Sequence, residues 1–208
     1  MTSEQHAPFD VDRLLDMEGI RRRLMQAGLF LAAYEVLKLA AIEGTRSHLV
    51  AAPEMTPDRY QRLRESIGEK RAQEAQREYA ASVARYEAET GVNDAERERV
   101  GLIPSCEWLS RTGALSDNDV LDIREVREHR NLLAHEIPHL LIRKGFEVNL
   151  RHLSRIRELV RRIDIFFIRA EAGLESITDD DIVPSRLLEL DHVIDVAALL
   201  RPGGQLQV

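Results

Sequence analysis

The chain has 208 residues, enough for one substantial core, and a composition of 44% hydrophobic and 31% charged residues suits a soluble helical protein. A formal net charge of −7 argues against indiscriminate binding to nucleic acid, and the single cysteine, Cys106, excludes an intrachain disulfide and a cysteine-rich metal centre. With no apolar run near the ~20 residues that span a bilayer and no secretion-signal pattern at the start, the expectation is a cytoplasmic protein without a membrane partner.

Aromatic residues make up only 5% of the chain, and its Leu, Ala, Arg and Glu content favours helix over sheet. Residues 18–50 read as one long helix. Between Ala27 and Ile42 it is apolar nearly all round, with Leu29, Phe30, Leu31, Tyr34, Val36, Leu37 and Leu39, which predicts a central buried helix. Glu35 and Lys38 interrupt that run, either as a charged pair on a wet edge or with Glu35 bonded into the bundle. A second helix is predicted over 56–90, with Thr56 as its cap, Pro57 and Asp58 in the first turn and Gly91 as its stop. Its apolar positions (Tyr60, Leu63, Ile67, Ala72, Ala75, Tyr79, Val83, Tyr86) form a narrow stripe that packs by one seam on the bundle or on a partner.

Residues 92–115, with Pro104 and Gly113, read as a connector with a short helical turn near Glu107-Trp108-Leu109, anchored by Cys106 and Trp108. A third helix starts after Ser116, with Asp117 and Asp119 in its first turn, and must end at or before Ile137 because Pro138 follows. The chain then turns around Gly145. Asn149 caps a fourth helix that reaches about Ala172 and carries Arg151, Arg155, Arg157, Arg161, Arg162 and Arg169 on its polar face. An acidic turn (Asp179, Asp180, Asp181) and a short apolar helix from Leu187 to Leu200 complete the chain. The expected fold is an all-α bundle in a single domain over 1–208. Residues 121–170 carry eleven Lys/Arg against seven Asp/Glu, which makes that segment either the docking place for a polyanion or simply the solvated faces of two helices.

The densest chemistry lies at the end of the third helix. Residues 128–139, Glu-His-Arg-Asn-Leu-Leu-Ala-His-Glu-Ile-Pro-His, hold four imidazole or guanidinium groups in twelve positions. One reading takes His135-Glu136-Ile137-Pro138-His139 as a His-Glu-x-x-His zinc site, with Glu158, nineteen residues after His139, as a third ligand. Pro138 weakens that reading. Inside a helix it would cost roughly 3 kcal/mol, and a helix that stops before it no longer presents both histidines on one face.

The other reading takes Arg130-Asn131-Leu132-Leu133-Ala134-His135, an Arg-x4-His motif on the penultimate core helix of an all-α chain. This resembles the HEPN superfamily of ribonucleases. The resemblance covers about 18–50 and 116–172, leaving the charged helix 56–90 as an insertion and 173–208 as a tail. It implies metal-independent cleavage of RNA to 2′,3′-cyclic phosphate and 5′-hydroxyl ends, without a cofactor, in a toxin or an antiphage defence effector. Arg130 and His135 would be the catalytic pair and Asn131 the supporting polar residue, with Arg127 and His129 as flanking RNA contacts. The residue chemistry is suitable: an imidazole with an ordinary pKa of about 6.5 gives or takes a proton near neutrality, and a forked, always-charged guanidinium fits phosphate oxygens.

One chain offers a single such pair, whereas acid and base roles together want two groups, so a two-fold homodimer with the site at its interface is the expected partner arrangement, and the one the family uses. A protein antitoxin or regulatory partner is a further expectation. The tyrosine that nucleotidyltransferase-silenced toxins carry two residues after the histidine is Ile137 here, so modification at that position is excluded. Five residues along an ideal helix is about 140° of rotation and about 7.5 Å of rise, so the arginine must reach round or the last turn must loosen. The bland alternative pairs Arg130 with Glu125 or Glu128 and leaves His135 as a helix end. Two other functions stay open: a catalytically silent HEPN-like interaction or RNA-binding module and, third, the zinc hydrolase. His152 is expected to be solvated.

Overall fold

A computed structural model of the chain describes residues 12, 15–138, 147–173, 179 and 182–199. The described elements are helical: α1 (Met17–Leu49), α2 (Pro57–Ile67), α3 (Glu69–Thr90), a 3-10 turn (Asp94–Glu96), α4 (Arg97–Val100), α5 (Leu102–Arg111), α6 (Asp117–His135), α7 (Arg151–Ala172) and α8 (Ser185–Leu199). No strand occurs among the described residues, so the all-α expectation holds.

Local chemistry explains most boundaries. Thr56 accepts a hydrogen bond from the backbone N–H of Arg59 at 3.3 Å, and Pro57 occupies the first turn of α2, where a missing N–H costs nothing. Gly91 closes α3 in the left-handed region at φ 72°, its N–H donating to the Glu87 carbonyl. At the start of α6, Ser116 and Asp119 form a reciprocal box. The Asp119 Oδ2 accepts from the Ser116 N–H at 2.7 Å, while the Ser116 Oγ accepts from the Asp119 N–H at 3.2 Å. The Asn149 Oδ1 accepts from the Arg151 N–H at 3.2 Å and caps α7.

Three expectations are revised. The helix foreseen over 56–90 is two helices, because Gly68 adopts φ 89°, ψ 157°, a conformation for which a side chain would be strained. The connector contains a ten-residue helix, α5, whose Leu102, Ile103, Ser105, Cys106, Trp108 and Leu109 are buried; Pro104 fits because it falls in the first turn. The third revision concerns α1. It contains an 18-residue window of mean hydropathy 1.4, so by length and composition it suffices to cross a membrane, contrary to the expectation that no stretch does. In this fold 44% of that window is buried inside the protein, and Leu39, expected in the core, is 53% exposed.

The chain forms two compact units, each assembled from separated stretches. The first comprises Met1–Leu37, Leu121–Arg161 and Ile177–Val208. Its core is built from Ala27, Phe30, Ala33, Tyr34 and Leu37 of α1, Ile123, Val126 and Leu133 of α6, Leu153, Ile156 and Leu159 of α7, and Leu187 and Leu190 of α8. Ion pairs tie these helices: Arg155 donates to Asp122 at 2.6 Å, and Arg157 engages both carboxylate oxygens of Asp191.

The second unit comprises Lys38–Val120 and Arg162–Ser176. Here Ala72 and Tyr86 of the charged segment are fully buried, so that segment contributes to a core. Arg46 of α1 clasps Asp94 at 2.7 and 3.1 Å, and Arg97 reaches Glu43 at 3.1 Å. His48, Trp108, Phe166 and Phe167 form an aromatic cluster with ring centroids 5.2 to 6.2 Å apart. Cys106 and Trp108 anchor α5 as expected, at 0% and 5% exposure.

Candidate functional site at the end of α6

Helix α6 keeps its backbone ladder to the end: the Glu136 N–H donates to the Leu132 carbonyl at 2.9 Å. His135 is the last helical residue, and Glu136 lies outside the helix. The last turn is therefore not loosened, and Arg130 and His135 retain the angular offset of an intact helix. Asn131 and His135 are exposed, as is Arg127.

Arg130 is turned toward α1. Its Nη2 lies 3.8 Å from the Glu35 carboxylate, and its guanidinium carbon is 5.6 Å from the centre of the buried Tyr34 ring. On its own helix, Nη1 donates to the Asn131 Oδ1 at a long 3.4 Å. Its Nε is buried without a hydrogen-bond partner, while 34% of the side chain remains exposed. The acidic neighbour is thus Glu35, not Glu125 or Glu128, and Glu35 meets it from the edge of α1 with its own side chain 47% exposed. No contact joins Arg130 to His135 among the described residues.

His129 departs from its expected place as a flanking polar residue. Its ring is half-buried, edge-on to Phe30 at 4.9 Å and 5.2 Å from His152, and its Nε2 accepts the backbone N–H of Asn149 at 3.0 Å. Burial, helped by the neighbouring His152, pushes its pKa down to about 4, so the ring is neutral at physiological pH. His152, expected in solvent, is also partly buried. Its Nε2 lies 3.1 Å from the Asn149 Nδ2, and burial lowers its pKa against the opposing pull of Glu125 and Asp122. Asn149 thus meets both imidazoles at the start of α7 and caps the helix as well.

The arginines of α7, counted in the sequence as a basic face, are largely engaged. Besides the pairs with Asp122 and Asp191, Arg161 donates to the Asp179 carbonyl at 2.7 Å, and Arg162 reaches both oxygens of the buried Asp119 at 2.9 and 2.7 Å. They act chiefly as ties between elements.

For the zinc reading, the break at Glu136 removes the shared helical face that gives His-Glu-x-x-His its meaning. His139, and with it the turn around Gly145, lies outside the described residues, as do Asp180, Asp181 and Leu200. Among the described residues no group of three His, Cys, Asp or Glu side chains is placed to hold a metal ion. No protein-family profile, curated protein or solved structure matches the chain.

Proposed function

We propose that the chain is a metal-independent endoribonuclease of HEPN type, a toxin or defence effector, that cleaves RNA to 2′,3′-cyclic phosphate and 5′-hydroxyl ends. The observation that carries this reading is the exposure of His135 at the close of α6, one and a half turns beyond an arginine whose guanidinium is only partly neutralised. His135 supplies proton transfer and Arg130 the fixed positive charge for the phosphate, with Asn131 beside it. Because the two side chains diverge on one helix, a two-fold homodimer that joins two such ends supplies the acid and base pair together.

The test is cleavage of end-labelled RNA by the purified protein with and without EDTA, beside Arg130→Ala and His135→Ala. Cyclic-phosphate products that survive EDTA and vanish in both variants support the reading, whereas cleavage that needs a metal, or persists in both variants, refutes it. A second reading, a catalytically silent interaction or RNA-binding module, is favoured by the engagement of Arg155, Arg157, Arg161 and Arg162 in contacts within the chain, which leaves α7 poorly suited as a track for a polyanion. That reading predicts no cleavage under either condition and no toxicity on expression.

A further inference from the structure

Several described arginines of this molecule are closely paired with aspartates. Arg46 and Arg157 each set two nitrogens against the two oxygens of one aspartate, and the Arg162 Nη1 reaches both oxygens of Asp119. Arg130 is held differently: 3.8 Å from Glu35, 3.4 Å from the Asn131 Oδ1, and over the Tyr34 ring at 5.6 Å. None of these is a closed, two-point hydrogen-bonded pair. Its stem is fixed by packing, because Nε is buried, yet the side chain is 34% exposed. A guanidinium with five donors can then offer its outer nitrogens to an incoming anion without first breaking a tight salt bridge.

The residues that set its direction sit on α1, and they are adjacent. Tyr34 is buried at 6% exposure and forms a rigid floor, while Glu35 at the helix edge draws the guanidinium toward α1. Since α6 runs straight to His135, nothing on α6 itself turns Arg130 this way except the long contact to Asn131.

We propose that Glu35, with the Tyr34 ring as its floor, is a positioning residue that holds the Arg130 guanidinium open for a phosphate group. The identity of that phosphate as an RNA diester rests on the ribonuclease reading; the holding of Arg130 does not.

The experiment uses the full chain with 15N-labelled arginine side chains. In the wild type the buried Arg130 Nε–H exchanges slowly with water, and its signal moves on addition of inorganic phosphate. Glu35→Gln accelerates that exchange. For RNA cleavage, Glu35→Gln lowers kcat roughly 10- to 100-fold, the loss expected when a reacting group is misplaced by about 1 Å, without raising KM. Glu35→Asp restores part of the rate. In chemical unfolding Glu35→Gln leaves stability unchanged in an Arg130→Ala background, whereas a merely structural role would lower stability there too.

An Arg130 Nε–H signal untouched by Glu35→Gln, or indifferent to phosphate, overturns the proposal, as does an equal loss of stability in the wild-type and Arg130→Ala backgrounds. If the wild type cleaves no RNA, the ribonuclease reading fails, and the exchange and phosphate measurements still decide the role of Glu35.

Discussion

Acidification should loosen the junction between α6 and α7, and the loss should run through His129. The Asn149 N–H points at the His129 Nε2 from 3.0 Å, and the Asn149 side chain lies 3.1 Å from the His152 Nε2. Both imidazoles therefore present a ring nitrogen to one asparagine. Protonating His129 sets a new N–H against the Asn149 N–H, in a half-buried place beside Phe30 where charge is poorly solvated. The folded-state pKa, about 4, lies below the ordinary 6.5, so the unfolded chain takes up the proton first.

The neutral ring's contribution is thus complete above pH 6.5, declines as pH falls from 6.5 to about 4, and is gone below that. Each pKa unit is worth about 1.4 kcal/mol, and after discounting for the ring's partial solvent screening about 1–2 kcal/mol remains. His152, also lowered, acts in the same direction. The depressed carboxyl of Asp191 makes a contribution that persists down to its ordinary value of 3.8 and fails only below it, so the windows separate. Urea unfolding of the wild type should lose about 1–2 kcal/mol between pH 7 and 4.5, and His129→Gln should lose less than half as much. The His129 ring resonance should titrate near 4. A midpoint near the ordinary histidine value, or an unchanged pH slope in the variant, would refute the argument.

Asp119, 1% exposed, accepts from Ser116 twice and from Arg162, so Asp119→Ala should destabilise by about 2–3 kcal/mol in chemical unfolding, an effect absent if the box and the ion pair are idle. Two glycines should fail for different reasons. At Gly44 a Cβ would stand 2.3 Å from the Phe167 ring, so Gly44→Ala should cost about 1–3 kcal/mol and be partly rescued by Phe167→Leu in a double-mutant cycle. At Gly68 a Cβ meets nothing within 4 Å, and the cost of Gly68→Ala, about 1–2 kcal/mol, comes from φ 89° alone and should resist rescue by trimming neighbours.

Periodicity and capping chemistry carried the helices well, because those signals are local. Ser116 followed by Asp117 and Asp119, and the limit set by Pro138, placed both ends of α6, and Asn149 placed the start of α7. The signals failed where one residue outweighed a long pattern. Gly68 sits in a stretch whose apolar stripe continues on both sides, and nothing in that stripe shows that the chain adopts a conformation open only to glycine. The helix Leu102–Arg111 was obscured by Pro104, a helix breaker in the interior but harmless in a first turn.

Electrostatics was the least readable layer, and the reason bears on the site. A charge count over residues 121–170 treats the arginines of α7 as available, but Arg155, Arg157 and Arg162 are matched by Asp122, Asp191 and Asp119, all on other helices. The same blindness hid the partner of Arg130. Glu125 and Glu128 stand five and two residues away, neither at the three- or four-residue spacing that brings helical side chains together, so no residue of that local pair could have held it. An arginine denied a partner on its own helix takes one from another element or leaves its charge to water or a ligand. Arg130 does some of each: Glu35, ninety-five residues earlier, stands at 3.8 Å, close enough to aim the guanidinium and too far to close it.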